Sequence, residues 1–183
     1  LVPEGKKICV VNNGAYSSRM VEIAGYYDIP CMNLEFPTTG LPDLKVVQEA
    51  LEKDPDIAVV ATTHHETGTG VLNPVREIGQ LAHDNGCVFV ADTISTYGLL
   101  PIDIEKEDID FCMSSAQKGL CGMTGVSCSP RSGAASVASA MSAAASAPAF
   151  GTGAWLISRG VGARAGTSSV RRPICSFVNG PRR

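Results

Sequence analysis

The segment Asp110-Phe111-Cys112-Met113-Ser114-Ser115-Ala116-Gln117-Lys118-Gly119-Leu120-Cys121-Gly122-Met123-Thr124-Gly125 begins as an apolar β-strand and empties into small and polar residues around one lysine. A lysine held by small neighbours at a strand end must be solvated, paired or chemically used. Upstream, Cys87-Val88-Phe89-Val90-Ala91-Asp92 is a second apolar strand, and it ends on a carboxylate. Taken singly, each has an ordinary reading. Lys118 reads as a solvated surface lysine and Asp92 as a turn former or helix cap.

Their surroundings change that reading. Lys7–Asn12 and Pro30–Phe36 read as strands, and Ile57–Thr62 is a near-continuous apolar strand of the kind buried on both faces. Between them, Ser17-Ser18 is expected to cap a helix running to about Tyr27, with Met20, Ile23 and Ala24 on one face. Asp43 is expected to cap a second helix, with Leu44, Val47 and Leu51 at helical spacing up to Lys53. A polar loop, His64 to Gly70, leads through Asn73-Pro74 into a third helix that reaches Asn85 and is closed by Gly86. Val88–Asp92 and Asp110–Ser114 complete the strands. Strands alternating with helices of about a dozen residues predict an α/β fold, a mostly parallel sheet with helices on both faces. Ligands of such sheets gather at the carboxyl ends of the strands. Loop 64–70, Asp92 and Lys118 all fall on that edge. Strand, acid, strand, lysine is an order that suits pyridoxal phosphate chemistry. The lysine amine forms a Schiff base, and the acid keeps the pyridine nitrogen protonated.

Bulk composition sets the outer limits. The 183 residues are 44% hydrophobic and 18% charged, a globular composition. No apolar run approaches the roughly 20 residues of a membrane span. The start, Leu1 to Lys7, has neither a secretory apolar region nor an initiating Met, so the chain is expected to begin inside a longer protein. Seven scattered cysteines without a C-x-x-C pair argue against a zinc ribbon or a disulfide scaffold, and the cytoplasm is the expected compartment. His64-His65-Glu66 invites a metal reading, but its spacing does not suit a helical His pair and no third ligand is evident, so no metal is expected. His83 reads as a solvated helix position and Arg19 as a salt-bridge residue rather than a substrate clamp.

Charge divides the chain. Residues 1–126 hold 8 Lys and Arg against all 18 acids, whereas residues 127–183 hold 7 Arg, no Lys and no acid. In that tail 41 of 57 residues are Ala, Ser, Gly, Arg or Pro, so there is little apolar area to offset ordering entropy. No strand is expected after Val126, where the chain gives Ser-Cys-Ser-Pro-Arg. Three readings fit the tail: a natural Ala-rich disordered segment, one weak helix over 134–147, or the wrong reading frame of a GC-rich gene. The loss of every acid and every Lys favours the third. Seven scattered arginines without interleaved aromatics give no case for nucleic-acid binding.

Four blocks, in order, carry a family resemblance: Asn13-Gly14-Ala15-Tyr16-Ser17-Ser18-Arg19-Met20, His64-His65-Glu66-Thr67-Gly68-Thr69-Gly70-Val71-Leu72-Asn73-Pro74, Val90-Ala91-Asp92-Thr93-Ile94-Ser95-Thr96-Tyr97-Gly98, and Ser114-Ser115-Ala116-Gln117-Lys118-Gly119-Leu120-Cys121-Gly122. Over about residues 5–126 the sequence resembles the class V aminotransferases of pyridoxal phosphate fold type I. Within them it is most similar to the 2-aminoethylphosphonate–pyruvate transaminases, with the serine– and alanine–glyoxylate transaminases next.

The resemblance implies a partial large domain over 1–126 and the cofactor pyridoxal 5′-phosphate. It also implies amino transfer from 2-aminoethylphosphonate or a similar amine to pyruvate, in a homodimer when the protein is intact. Lys118 would form the Schiff base and carry the proton. Asp92 would pair with the ring nitrogen, and Tyr16 would lie against the ring face. Thr67 would bond near the phenolic oxygen, and Gln117 would help hold the phosphate. Ser17 stands where the family usually has glycine. The family's glycine-rich phosphate turn and its small C-terminal domain, with the arginine that grips the substrate carboxylate, have no counterpart here. An inactive truncated fragment is therefore the competing expectation, beside a serine- or alanine–glyoxylate-type enzyme.

Overall fold

The computed structural model describes residues 1–124 together with 127 and 128. Apolar runs form the strands of its main sheet: β1 (Lys7–Asn12), β2 (Cys31–Glu35), β3 (Ile57–Thr63), β6 (Val88–Asp92) and β7 (Phe111–Ser115). Helices α1 (Ala15–Tyr26), α2 (Leu44–Lys53) and α3 (Val75–Asp84) connect them. Two short strands, β4 (His65–Glu66) and β5 (Val71–Leu72), make a separate antiparallel hairpin. The sheet order is β2-β1-β3-β6-β7-β8, where β8 is Ser127–Cys128. All pairs are parallel except β7–β8, so the expected α/β architecture is what the chain forms.

The register follows from which side chains must be buried. On one face Cys9, Val11, Val60, Phe89, Ala91 and Cys112 pack against Val47 and Leu51 of α2 and Val75, Ile78 and Ala82 of α3. On the other, Val59, Ala61, Val90 and Phe111 pack with Met20 of α1 and with Leu1 and Val2. A one-residue slip in any central strand would exchange these two sets. Helices thus lie on both faces of the sheet.

The helix ends show local chemistry at work, and one long-range exception. Asp43 caps α2 as expected, its carboxylate accepting from the Lys45 N–H at 2.9 Å. Gly86 follows α3 in the left-handed region, φ 71°, and its N–H donates to the His83 carbonyl. Helix α1 differs from expectation. It starts at Ala15, ahead of Ser17-Ser18, and Ser17 is buried inside its first turn. The acceptor for its free N–H groups comes from Glu66, 50 positions away from Tyr16.

Three further expectations are corrected. Loop 64–70 is not wholly irregular, because His65 and Glu66 pair with Leu72 and Val71. His83 is not simply solvated: its Nε2 lies 2.8 Å from the buried Asp110 carboxylate, which also accepts from the Phe89 N–H. Residues 127 and 128 are not irregular, since they add an antiparallel strand to β7, Ser114 opposite Cys128 and Ser115 opposite Ser127. The readings made of 129–183 lie outside the described residues. No helix among the described residues is long and apolar enough to cross a membrane.

Candidate active site

The carboxyl ends of β1, β3, β6 and β7 form one rim, and the five residues singled out by sequence all lie on segments that leave it. Asp92 is the last residue of β6 and is 6% exposed. Alternation along the strand puts its side chain on the face of Val90, the face that α1 covers. Its Oδ1 accepts from the Ile94 N–H at 2.9 Å, and its Oδ2 has no partner among the described residues. Burial pushes the carboxyl up to about 6. The Ile94 N–H pulls it back, and the nearby Glu66 carboxylate pushes it up again. A buried acid with one idle oxygen fits a protonated ring nitrogen, which would donate to that oxygen and supply the missing countercharge.

Lys118 stands three residues past β7, the strand paired with β6 through Asp92 opposite Met113. Its ammonium is exposed and has no hydrogen bond or ion pair among the described residues. The turn that presents it is closed by backbone: the Lys118 N–H donates to the Ser115 carbonyl, and the Cys121 N–H to the Lys118 carbonyl. Gly119 is the contact point with the segment after β6. A Cβ there would overlap the Tyr97 carbonyl oxygen and the Leu99 side chain. Gly119→Ala is expected to push this turn outward at a cost of about 1–3 kcal/mol, read as a lower urea midpoint.

Tyr16 lies in the first turn of α1 with its ring about half exposed (46%). Thr67 begins the β4–β5 turn, exposed, its hydroxyl unpartnered among the described residues. Gln117 is also exposed, and its Oε1 accepts from the Ser115 hydroxyl within the same turn. The residues therefore fall into two groups. Tyr16 and Thr67 meet through Glu66, while Lys118 and Gln117 share the exit of β7; Asp92 sits at the end of the strand between β3 and β7.

Two functional-looking features were not found from sequence. Glu66 is 1% exposed and accepts from the Tyr16 N–H (3.3 Å), the Ser17 N–H (3.0 Å) and the Ser17 hydroxyl (2.6 Å). Asn13 and Asn73 exchange amide hydrogen bonds at 2.7 and 3.0 Å, both side chains buried. Asn73 also donates to the Thr63 carbonyl, and Asn13 to that of Gly40. Asn13, Glu66 and Asn73 all lie within the blocks that carry the family resemblance, but nothing local distinguishes them, because their partners are distant in sequence.

The two histidines do not face one ligand. His64 is buried against Thr96, Nδ1 to Oγ1 at 2.9 Å, and His65 against Ser95 at 3.2 Å. Thr96 donates its hydroxyl to the Thr93 carbonyl, so it accepts from His64 Nδ1–H, which assigns the lone pair to Nε2. Burial, and then the neighbouring His65, lower the His64 pKa. Arg19 is exposed and forms no ion pair among the described residues.

Comparison with known proteins gives a consistent setting. The family model described as aminotransferase class-V matches residues 2–144. It therefore extends past the point near 126 where the sequence resemblance ends. The 2-aminoethylphosphonate–pyruvate transaminase of Syntrophobacter fumaroxidans is 44% identical over 124 residues, 68% of this chain and 33% of that protein. Among solved structures, an alanine–glyoxylate aminotransferase from Nostoc sp. superposes with a TM-score of 0.65 at 28% identity, covering 72% of this chain and 35% of that one. A pyridoxamine–pyruvate aminotransferase from Mesorhizobium loti gives 0.67 at 25% identity, covering 73% and 34%. The chain spans about a third of the length of the curated relatives it matches.

Proposed function

Because the chain belongs to the class-V aminotransferases, a family that works with pyridoxal 5′-phosphate, we propose that it carries the cofactor-holding rim of a 2-aminoethylphosphonate–pyruvate transaminase. The observation that carries this reading is Asp92: a buried carboxylate with one oxygen unpartnered among the described residues, on a strand paired with the one that leads to Lys118. When bound, the cofactor supplies an electron sink for the negative charge that develops at the amino donor's amine-bearing carbon.

Each residue then has a physical task. Asp92 accepts the ring N–H and, being shielded from water, holds its countercharge in place without reorganising. Lys118 would be the covalent attachment point, and its amine would carry a proton to and from the substrate carbon. The flat face of Tyr16 covers the ring. Thr67 offers a hydroxyl near the ring's phenolic oxygen, and Gln117 an amide to the phosphate. Residues 1–126 make up part of a large cofactor domain in this reading. The intact protein works as a homodimer in the cytoplasm on a small amino donor and a keto acid. Among the described residues Cys9, Cys31, Cys87, Cys112 and Cys121 are free thiols, which agrees with that compartment.

The test titrates the 183-residue chain with pyridoxal 5′-phosphate and then follows amino transfer. Donors are 2-aminoethylphosphonate, serine and alanine; acceptors are pyruvate and glyoxylate. The expected result is saturable cofactor binding and alanine formed from pyruvate with the phosphonate donor only. Preference for glyoxylate would replace the substrate assignment by the alanine–glyoxylate type, to which the Nostoc structure is similar. Failure to bind the cofactor would reject the function for this chain.

A further inference from the structure

Glu66 is a carboxylate with almost no exposure, yet no basic side chain pairs with it among the described residues. Its three hydrogen bonds come from the first turn of α1: two backbone N–H groups and the Ser17 hydroxyl. A buried anion held this way stabilises the helix start and is itself stabilised by the helix dipole. The approach is close enough to exclude any side chain at the residue before the helix. A Cβ on Gly14 would lie 2.5 Å from the Glu66 carboxyl carbon, and Gly14 itself is in extended backbone, φ 179°. The same residue anchors the hairpin turn, since the Thr69 and Gly70 N–H groups both donate to the Glu66 carbonyl. Side chain and main chain of one residue therefore tie together two segments that have no covalent closeness, residues 14–17 and residues 66–70.

We propose that Glu66 is a positioning residue for the cofactor rim: its buried carboxylate fixes the turn that carries Tyr16 against the hairpin that carries Thr67. The inference rests on the proposed function, because positioning matters only if Tyr16 and Thr67 meet a ligand. The alternative, a carboxylate that merely stabilises the fold, predicts a different pattern of losses. Glu66 lies in the β4–β5 hairpin and outside the main sheet, so truncating its side chain frees the first turn of α1 from the hairpin while leaving the ladder of β1, β3 and β6 intact. Glutamine at this site keeps one oxygen for the Ser17 N–H and hydroxyl and turns an NH2 toward the Tyr16 N–H, so it restores part of the clamp.

The experiment uses the full chain as Glu66→Ala, Glu66→Gln and, as a milder cut that removes one of the three bonds, Ser17→Ala. Hydrogen exchange is read in the cofactor-free state and the dissociation constant for pyridoxal 5′-phosphate by absorbance. Exchange at residues 16–17 is expected to quicken in Glu66→Ala, while that of β3 and β6, and of residues 69–70, whose N–H groups donate to the main-chain carbonyl of residue 66, stays as it was. The dissociation constant is expected to rise about tenfold, with Glu66→Gln recovering most of the loss and Ser17→Ala losing about threefold. Unchanged cofactor affinity in Glu66→Ala would overturn the inference and leave the proposed function standing. Loss of protection throughout the sheet, matched by equal loss in the glutamine variant, would also overturn it in favour of a purely structural role. Absence of binding by the unsubstituted chain would sink both.

Discussion

Lys118→Ala is expected to abolish amino transfer, by at least about a thousandfold, while leaving the fold as it is. The magnitude follows from losing a positioned proton carrier together with the covalent attachment point. The fold should be indifferent, because the Lys118 ammonium touches nothing among the described residues and its turn is closed by main-chain bonds. Urea unfolding should therefore agree within about 0.5 kcal/mol, as for other exposed substitutions. The visible absorbance that a lysine-linked pyridoxal ring gives should vanish in the variant. An external amine should restore part of it if the rest of the rim still holds the ring. A variant that keeps both the absorbance and the turnover would remove Lys118 from the chemistry altogether.

Asp92→Asn is expected to split binding from stability, moving them in opposite directions. In the unliganded chain Asp92 has a pKa of about 6, against 3.8 for the ordinary group, mainly because it is buried. A carboxyl raised in this way holds its proton longer in the folded state than in the unfolded one. The folded chain is thus favoured below about pH 4, and it loses that advantage as pH rises through about 6. Above that, the buried charge costs about 3 kcal/mol. Asparagine removes the cost, keeps an oxygen for the Ile94 N–H, and should make the unliganded variant more stable at pH 7.5. The gain should shrink to nothing near pH 4 in the same urea series. Cofactor affinity should fall roughly a hundredfold at pH 7.5, since a buried charge pair has lost one member. If the variant binds cofactor as well as the unsubstituted chain, Asp92 is not the ring's partner.

Much of this could be read from local sequence, and the reason is visible residue by residue. The apolar runs Cys9 to Val11, Val59 to Ala61 and Phe89 to Ala91 are buried on both faces, and such strands need no partner information to be recognised. Helix α2 was legible to the residue, because Asp43 caps its own backbone two positions on. Helix α1 was not. Ser17-Ser18 looks like a cap, but the true acceptor is Glu66, and only the folded chain brings it near. The β4–β5 hairpin escaped notice because two-residue strands have no periodicity. His83 looked solvated for the same reason that Glu66 looked ordinary: Asp110 is 27 positions away. Asp92 could be placed at a strand end from sequence, whereas its raised pKa depends on burial and on Glu66 and could not.

The clamp on α1 has a consequence for where a phosphoryl group can be received. The start of a helix is ordinarily an attractive seat for such an anion, because its first N–H groups point outward with no acceptor. Here Tyr16 and Ser17 have already given theirs to Glu66, and a phosphoryl dianion brought to that spot would meet the resident carboxylate at close range. The helix that opens onto the rim thus repels the very group it would usually recruit. A phosphorylated ligand that meets this rim is therefore expected to keep its charged end away from the start of α1. One buried glutamate in this way turns the start of a helix from an anion seat into a place that anions avoid.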